Sequence, residues 1–159
     1  DDDRHSERGV FMRALIQCVS HAEVSIDDAV TAQIGRGFVV LLGVGAGDTE
    51  SEVEHLWTKI AKLRVFEDEQ GKTNRSLSDI GGEVLVVSQF TLYANCKKGN
   101  RPSFTDAMEP GEARRLYELF IRRASADDFR VAHGEFGAFM EVSLTNRGPF
   151  TIWLDTDRL

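Results

Sequence analysis

Residues 37–63 read GFVVLLGVGAGDTESEVEHLWTKIAKL, and a change of period inside this stretch decides the fold class. Residues 37–44 are a continuous apolar run bounded by glycine, the pattern of a strand buried on both faces. From Thr49 the period lengthens. Thr49 and Glu52 have the spacing of a capping box, and Val53, Leu56, Trp57, Ile60 and Leu63 follow at helical intervals. A helix over about 49–64 is predicted, its apolar stripe turned onto a sheet.

Upstream, residues 11–27 (FMRALIQCVSHAEVSID) predict two strands, with Val24 and Ile26 alternating against Glu23, Ser25 and Asp27. Downstream, residues 67–82 carry turn chemistry and few apolar anchors, which predicts a long surface loop. EVLVVSQFTLY, residues 83–93, predicts another buried strand, and the basic segment ANCKKGNRPSF after it reads as irregular. Pro110 opens a second helix with Ala113, Leu116, Tyr117, Phe120 and Ala124 on one face. Two strands, about 139–145 and 149–156, close the chain. The expected class is α+β: a mostly antiparallel, barrel-like sheet covered by two main helices in a single domain over residues 11–157. Residues 1–10, mostly charged, are expected to be a disordered extension or tag remnant, with Met12 a candidate native start.

Composition narrows the classes. The chain has 159 residues, 42% hydrophobic and 28% charged, with 14 Gly and 3 Pro, a balance that excludes disordered and collagenous proteins. The net charge of −7 argues against a generalised nucleic-acid binder. Cys18 and Cys96 are too few and too far apart for a disulfide framework, and no run of 18 apolar residues occurs. A soluble cytoplasmic protein is expected.

The usual catalytic signatures are missing. His5, His21, His55 and His133 are scattered without metal-ligand spacing. The segment GVGAGDTE, residues 43–50, lacks the lysine of a phosphate-binding loop and reads as a tight strand-to-helix turn. There is no G-x-S-x-G elbow. No metal and no cofactor are expected. Two polar segments at strand ends remain: SQFTL, residues 88–92, and TNRGPFT, residues 145–151. Taken alone, the first reads as a strand reaching solvent and the second as a hairpin turn.

Together they point further. MRALIQ from Met12, SQFTLYA at 88–94, RPSF at 101–104, FGAFM at 136–140 and NRGPFT at 146–151 occur in that order. The sequence from Met12 to about Asp155 closely resembles the D-aminoacyl-tRNA deacylases, formerly called D-tyrosyl-tRNA deacylases. The resemblance implies a homodimeric, cofactor-free hydrolase that cleaves the ester joining a D-amino acid to the 3′ adenosine of tRNA. It implies that Gly148-Pro149 is cis and enters the partner subunit's active site. There the loop's carbonyl oxygens hold the substrate ammonium, and its close backbone excludes an L side chain. Glycine has no side chain to exclude, so glycyl-tRNA mischarged on tRNA-Ala is an expected substrate. Ser88, Gln89, Phe90 and Thr91 are implied to surround the scissile ester. Phe136, Gly137, Ala138 and Met140 are implied to wall the amino-acid pocket.

Two mechanisms fit these residues. Thr91 as a nucleophile needs an adjacent base, which SQFTLYA lacks. Water attack assisted by the tRNA 2′-hydroxyl, with N–H groups near Phe90 and Thr91 stabilising the oxyanion, is favoured. One residue departs from the family: Cys18 stands where an arginine that orients the Gly-Pro loop is usual, and Arg147 is a candidate replacement. The alternatives are a tRNA- or nucleic-acid-binding protein of the same fold with weakened catalysis, or a deacylase acting on mischarged L-aminoacyl-tRNA. Charge is also uneven. Residues 71–104 carry Lys72, Arg75, Lys97, Lys98 and Arg101 against Asp79 and Glu83. Lys97, Lys98 and Arg101 are therefore expected to contact tRNA phosphates.

Overall fold

The computed structural model describes residues 10–159. The extension expected at 1–10 lies outside the described residues except for Val10, whose carbonyl accepts the Gly47 N–H at 2.8 Å. Among the described residues, no helix is long and apolar enough to cross a membrane.

The organising element is strand β1, Arg13–Ile26. Residues 11–27, expected as two strands, form this single one. The phase of burial changes at Cys18 and Val19, both buried and belonging to opposite cores. The strand absorbs the change through irregular register on either side of Val19 against β8, Glu141–Asp155. A sequence pattern cannot tell this from a chain break. At its end, Asp27 and Asp28 both take positive φ (50° and 65°), the backbone of a two-residue hairpin. The chain returns as β2, Ala29–Ile34, too short and too polar to be predicted.

Strand β3, Gly37–Gly43, pairs antiparallel with β1 and parallel with β6, Glu83–Ser88. It is buried on nearly its whole length, as the apolar run predicted. At Gly37 a Cβ would stand 1.8 Å from the Glu83 carbonyl oxygen, so only glycine allows this approach. A short β7, Val131–His133, extends the sheet beyond β6, giving the order β2-β1-β3-β6-β7 with β8 on the other edge of β1. The sheet curls so that β2 also lies against β6 and β7, a nearly closed barrel.

Both predicted helices are present. Helix α1 spans Glu50–Lys62, with Thr49 and Glu52 forming the capping box. Helix α2 spans Pro110–Ser125, capped by the Glu109 side chain, and it buries the five residues expected. The helices pack on each other and on one sheet face, with Trp57 edge-on to Phe120 at 5.8 Å. A smaller core of Val19, Ala22, Val24, Ile34, Val39, Leu85 and Val87 fills the other face.

Three further expectations need correction. The loop over 67–82 contains a small hairpin, β4 (Phe66–Glu67) and β5 (Thr73–Arg75), and is anchored by the fully buried Leu77. The strand expected over 83–93 stops at Ser88. Gln89 N–H donates to Leu42 O at 2.7 Å, and Phe90–Tyr93 then form a 3-10 turn. The final two strands are halves of β8, running in one direction along β1. The segment around Gly148-Pro149 is therefore an outward bulge within a strand, not a hairpin turn.

One buried acid ties the N-terminal end of β1 to the β3–α1 loop. Asp48 accepts the N–H groups of Met12 and Gly45, each at 2.7 Å. Burial pushes its carboxyl up to about 7, despite those two N–H groups, which favour the anion. A carboxyl whose folded pKa is raised binds its proton more tightly when folded. Its contribution to stability is therefore full below about pH 4 and declines as pH rises toward 7. Asp48→Asn cannot titrate and loses one acceptor, so it should destabilise by about 1–3 kcal/mol. Urea melts should show a larger penalty at pH 4 than at pH 8.

Candidate active site

Strand β6 delivers its last residues to the rim of a groove. Val84–Val87 are held in the core by their apolar side chains, and Ser88 emerges half-buried. The chain then turns sharply at Gln89 into the 3-10 turn. Phe90 and Thr91 stand first in this turn, so their N–H groups have no acceptor within it. They make no hydrogen bond among the described residues. Thr91 is exposed, and its hydroxyl accepts a short hydrogen bond from the Gln89 side-chain amide.

The facing wall is the segment Phe136–Met140, between β7 and β8. Tyr117 of α2 fixes it: its buried hydroxyl lies 3.1 Å from Val86 O and 2.8 Å from Gly134 O, donating to one at a time. Burial raises the Tyr117 pKa, so it stays protonated. Gly137 has φ +79° with open space around its Cβ direction, a turn conformation that costs other residues energy. Between the walls lies a groove of about 830 Å³. Among the described residues its one carboxylate is Glu109, whose oxygens accept the Gly111 and Glu112 N–H groups in capping α2. Among the described residues, no histidine lines it. The groove thus offers hydrogen-bond donors and aromatic surface without an evident general base.

Of the residues singled out from the sequence, Ser88, Gln89 and Phe90 meet Phe136, Gly137, Ala138 and Met140 in this groove, with Thr91 directly beside it. Gly148 and Pro149 do not join them. They are exposed on the β8 bulge, beside a separate crevice bordered by Cys18, Arg36 and Arg147. The Gly148-Pro149 peptide is cis. Cys18 is buried, and burial pushes its thiol up to about 11, against a weaker opposing effect of Arg36. It is a packed thiol, not a nucleophile. Arg147 is exposed beside the same crevice.

Lys97, Lys98 and Arg101 are exposed on a loop whose ends are joined by paired Asn95 and Ser103 main-chain hydrogen bonds of 2.8 and 2.9 Å. That loop springs from an aromatic pair, Phe90 and Phe104, with ring centroids 5.1 Å apart. Both phenylalanines line the groove, so the basic loop adjoins it.

A family model described as D-Tyr-tRNA(Tyr) deacylase matches residues 15–155. The chain is similar to a D-aminoacyl-tRNA deacylase of Lactobacillus helveticus, 56% identical over 144 residues that cover 91% of this chain and 99% of the relative. A D-aminoacyl-tRNA deacylase of Ruegeria pomeroyi is 54% identical with the same coverage. The solved structure of c-Myc DNA Unwinding Element Binding Protein matches with TM-score 0.84 and 42% identity, covering 90% of this chain and 97% of that one.

Supporting residues escaped the sequence reading. The Asn146 side-chain amide donates across the base of the bulge to Gln17 Oε1 and Cys18 O, each at 3.0 Å, and lies 3.3 Å from Phe150 O. Thr151 donates to the same Gln17 oxygen. Asn beside Gly-Pro suggests only a turn, because Gln17 and Cys18 lie more than a hundred residues away in sequence. Asn146→Ala removes the tie. It should cost about 1–2 kcal/mol and accelerate amide exchange at residues 147 and 148, with α1 exchange unchanged.

Proposed function

The chain belongs to the D-Tyr-tRNA(Tyr) deacylase family, and from that premise we propose that it hydrolyses the ester of D-aminoacyl-tRNA, releasing D-amino acid and tRNA. The observation that carries this reading is one groove. Phe90 lines it across from Phe136–Met140, and Thr91 stands directly beside it. The N–H groups of both are unpaired among the described residues, and no evident protein base lies between the walls.

Such a site favours attack by water on an ester already activated by its adjacent ribose hydroxyl. The tetrahedral oxyanion that forms is held by the Phe90 and Thr91 N–H groups, donors fixed before the reaction begins. Ser88 and Gln89 order the ester and the attacking water. The terminal adenosine lies along the groove, and the acceptor strand leaves past Lys97, Lys98 and Arg101.

Stereochemical selection is assigned to Gly148-Pro149 of a second copy in a homodimer. Its support is the bulge's position: it is exposed and away from its own chain's groove. In the partner's groove, main-chain carbonyls would receive the substrate ammonium, and the backbone would leave no space for an L side chain. Glycyl-tRNA, including tRNA-Ala mischarged with glycine, passes the same filter. The site of action is the cytoplasm, where aminoacyl-tRNA is used.

Release of amino acid from D-tyrosyl-, L-tyrosyl- and glycyl-tRNA tests this directly. Hydrolysis of the D and glycyl esters with the L ester spared is the expected result. Binding without release would point to a nucleic-acid-binding protein, and appreciable L cleavage would overturn the chiral filter. Replacing Lys97, Lys98 and Arg101 together by Ala should weaken tRNA binding. It should also reduce the slope of log K against log salt by about 2, the share of three single-strand phosphate contacts. An unchanged slope would remove the loop from the interface.

A further inference from the structure

We propose that Arg13 is a positioning residue for the ester-cleaving turn. This rests on the reading of Phe90–Tyr93 as the seat of hydrolysis.

The N–H groups of Phe90 and Thr91 can stabilise an oxyanion only if the turn is held still, and a 3-10 turn of four residues has little rigidity of its own. Its leading end is fixed by the Gln89 N–H on Leu42 O. Its trailing end depends on side chains reaching from other strands. The Arg13 guanidinium donates through Nη1 to Leu92 O at 3.1 Å and through Nε to Asp155 Oδ2 at 3.3 Å. It also lies over the Tyr93 ring at 4.7 Å and the Trp153 ring at 5.6 Å. Tyr93 is itself buried, its hydroxyl 2.6 Å from Phe11 O and 2.9 Å from Gly43 O, donating to one at a time. Burial raises its pKa, so it remains a donor.

Arg13 therefore connects three elements through one planar group. It starts β1, grips the catalytic turn, and is itself held by the end of β8, the strand that carries the Gly-Pro bulge. A guanidinium can donate in two directions while stacking on aromatic faces, whereas an ammonium is a single point charge. Lysine should keep the attraction to Asp155 and lose the grip on Leu92.

The test compares Arg13→Lys and Arg13→Gln with the unsubstituted protein on D-tyrosyl-tRNA, alongside amide exchange of the free protein. The expected result is a fall in kcat of about tenfold for Arg13→Lys and more for Arg13→Gln, the scale at which small misplacements act. KM should stay within about twofold. Exchange should accelerate at 92–94 and remain unchanged at 84–87. If Arg13→Gln does not fold, Arg13→Lys carries the test alone. Unchanged kcat and exchange in a folded variant, or a rise in KM alone, would overturn the proposal. If the unsubstituted protein releases no amino acid, the deacylase reading fails instead, and the exchange measurement still decides whether Arg13 holds the turn.

Discussion

Hydrogen bonding along both edges of β1 is the constraint on which the rest of the molecule depends. One edge carries β3 and then β2, and the other carries β8 along almost its whole length. Because side chains alternate across a strand, each pairing register dictates which residues of the neighbour face the helices and which face away. The register of β3 in turn fixes β6, which leads through Gln89 into the Phe90–Tyr93 turn. The register of β8 fixes where its extra residues are expelled as the Gly-Pro bulge. The Phe90–Tyr93 turn and the Gly-Pro bulge, about sixty residues apart in sequence, are thus placed by reference to one strand.

The chemistry follows from what that frame leaves unsatisfied. A strand that passes abruptly into a tight turn exposes N–H groups with no partner, and in a folded protein such groups normally bind water or a ligand. Phe90 and Thr91 present two together beside an apolar groove, whose carboxylate, Glu109, is engaged by the Gly111 and Glu112 N–H groups. An ester is reactive enough that fixed donors matter more than a strong base. This accounts for a site with neither a triad nor a metal-ligand cluster among its lining residues.

Local regularities were legible in the sequence and long-range ones were not. Both helices could be read because capping and period are properties of neighbouring residues: Thr49 with Glu52, and Leu116 with Phe120. The apolar run 37–44 announced a buried strand for the same reason. The single strand over 13–26 could not be read, because its change of phase at Cys18–Val19 is absorbed by pairing with a segment far along the chain. Strand β7 is three residues long and carries no period. SQFTL, FGAFM and Gly-Pro could be read as motifs in order. Asn146, Gln17, Tyr93 and Arg13 could not, since each matters through a contact between distant segments. Charge shows the same limit. The total of −7 spoke against nucleic acid, whereas Lys97, Lys98 and Arg101 stand on one exposed loop next to the groove.

That distinction also bears on Cys18, where the sequence departs from the motif it otherwise resembles. A side chain that orients the Gly-Pro bulge would be missed only if the bulge depended on it. At its base the bulge is instead tied to β1 by Asn146, whose amide reaches the main-chain carbonyl of residue 18 and the side chain of residue 17. A carbonyl is supplied equally by cysteine and arginine. The thiol contributes packing beneath the bulge, where a buried neutral group costs little and a buried cation would require a partner. Arg36 and Arg147 border the same crevice and supply positive charge from its rim, where water still solvates it. The departure therefore changes where charge sits around the bulge while leaving the hydrogen bonds at its base in place.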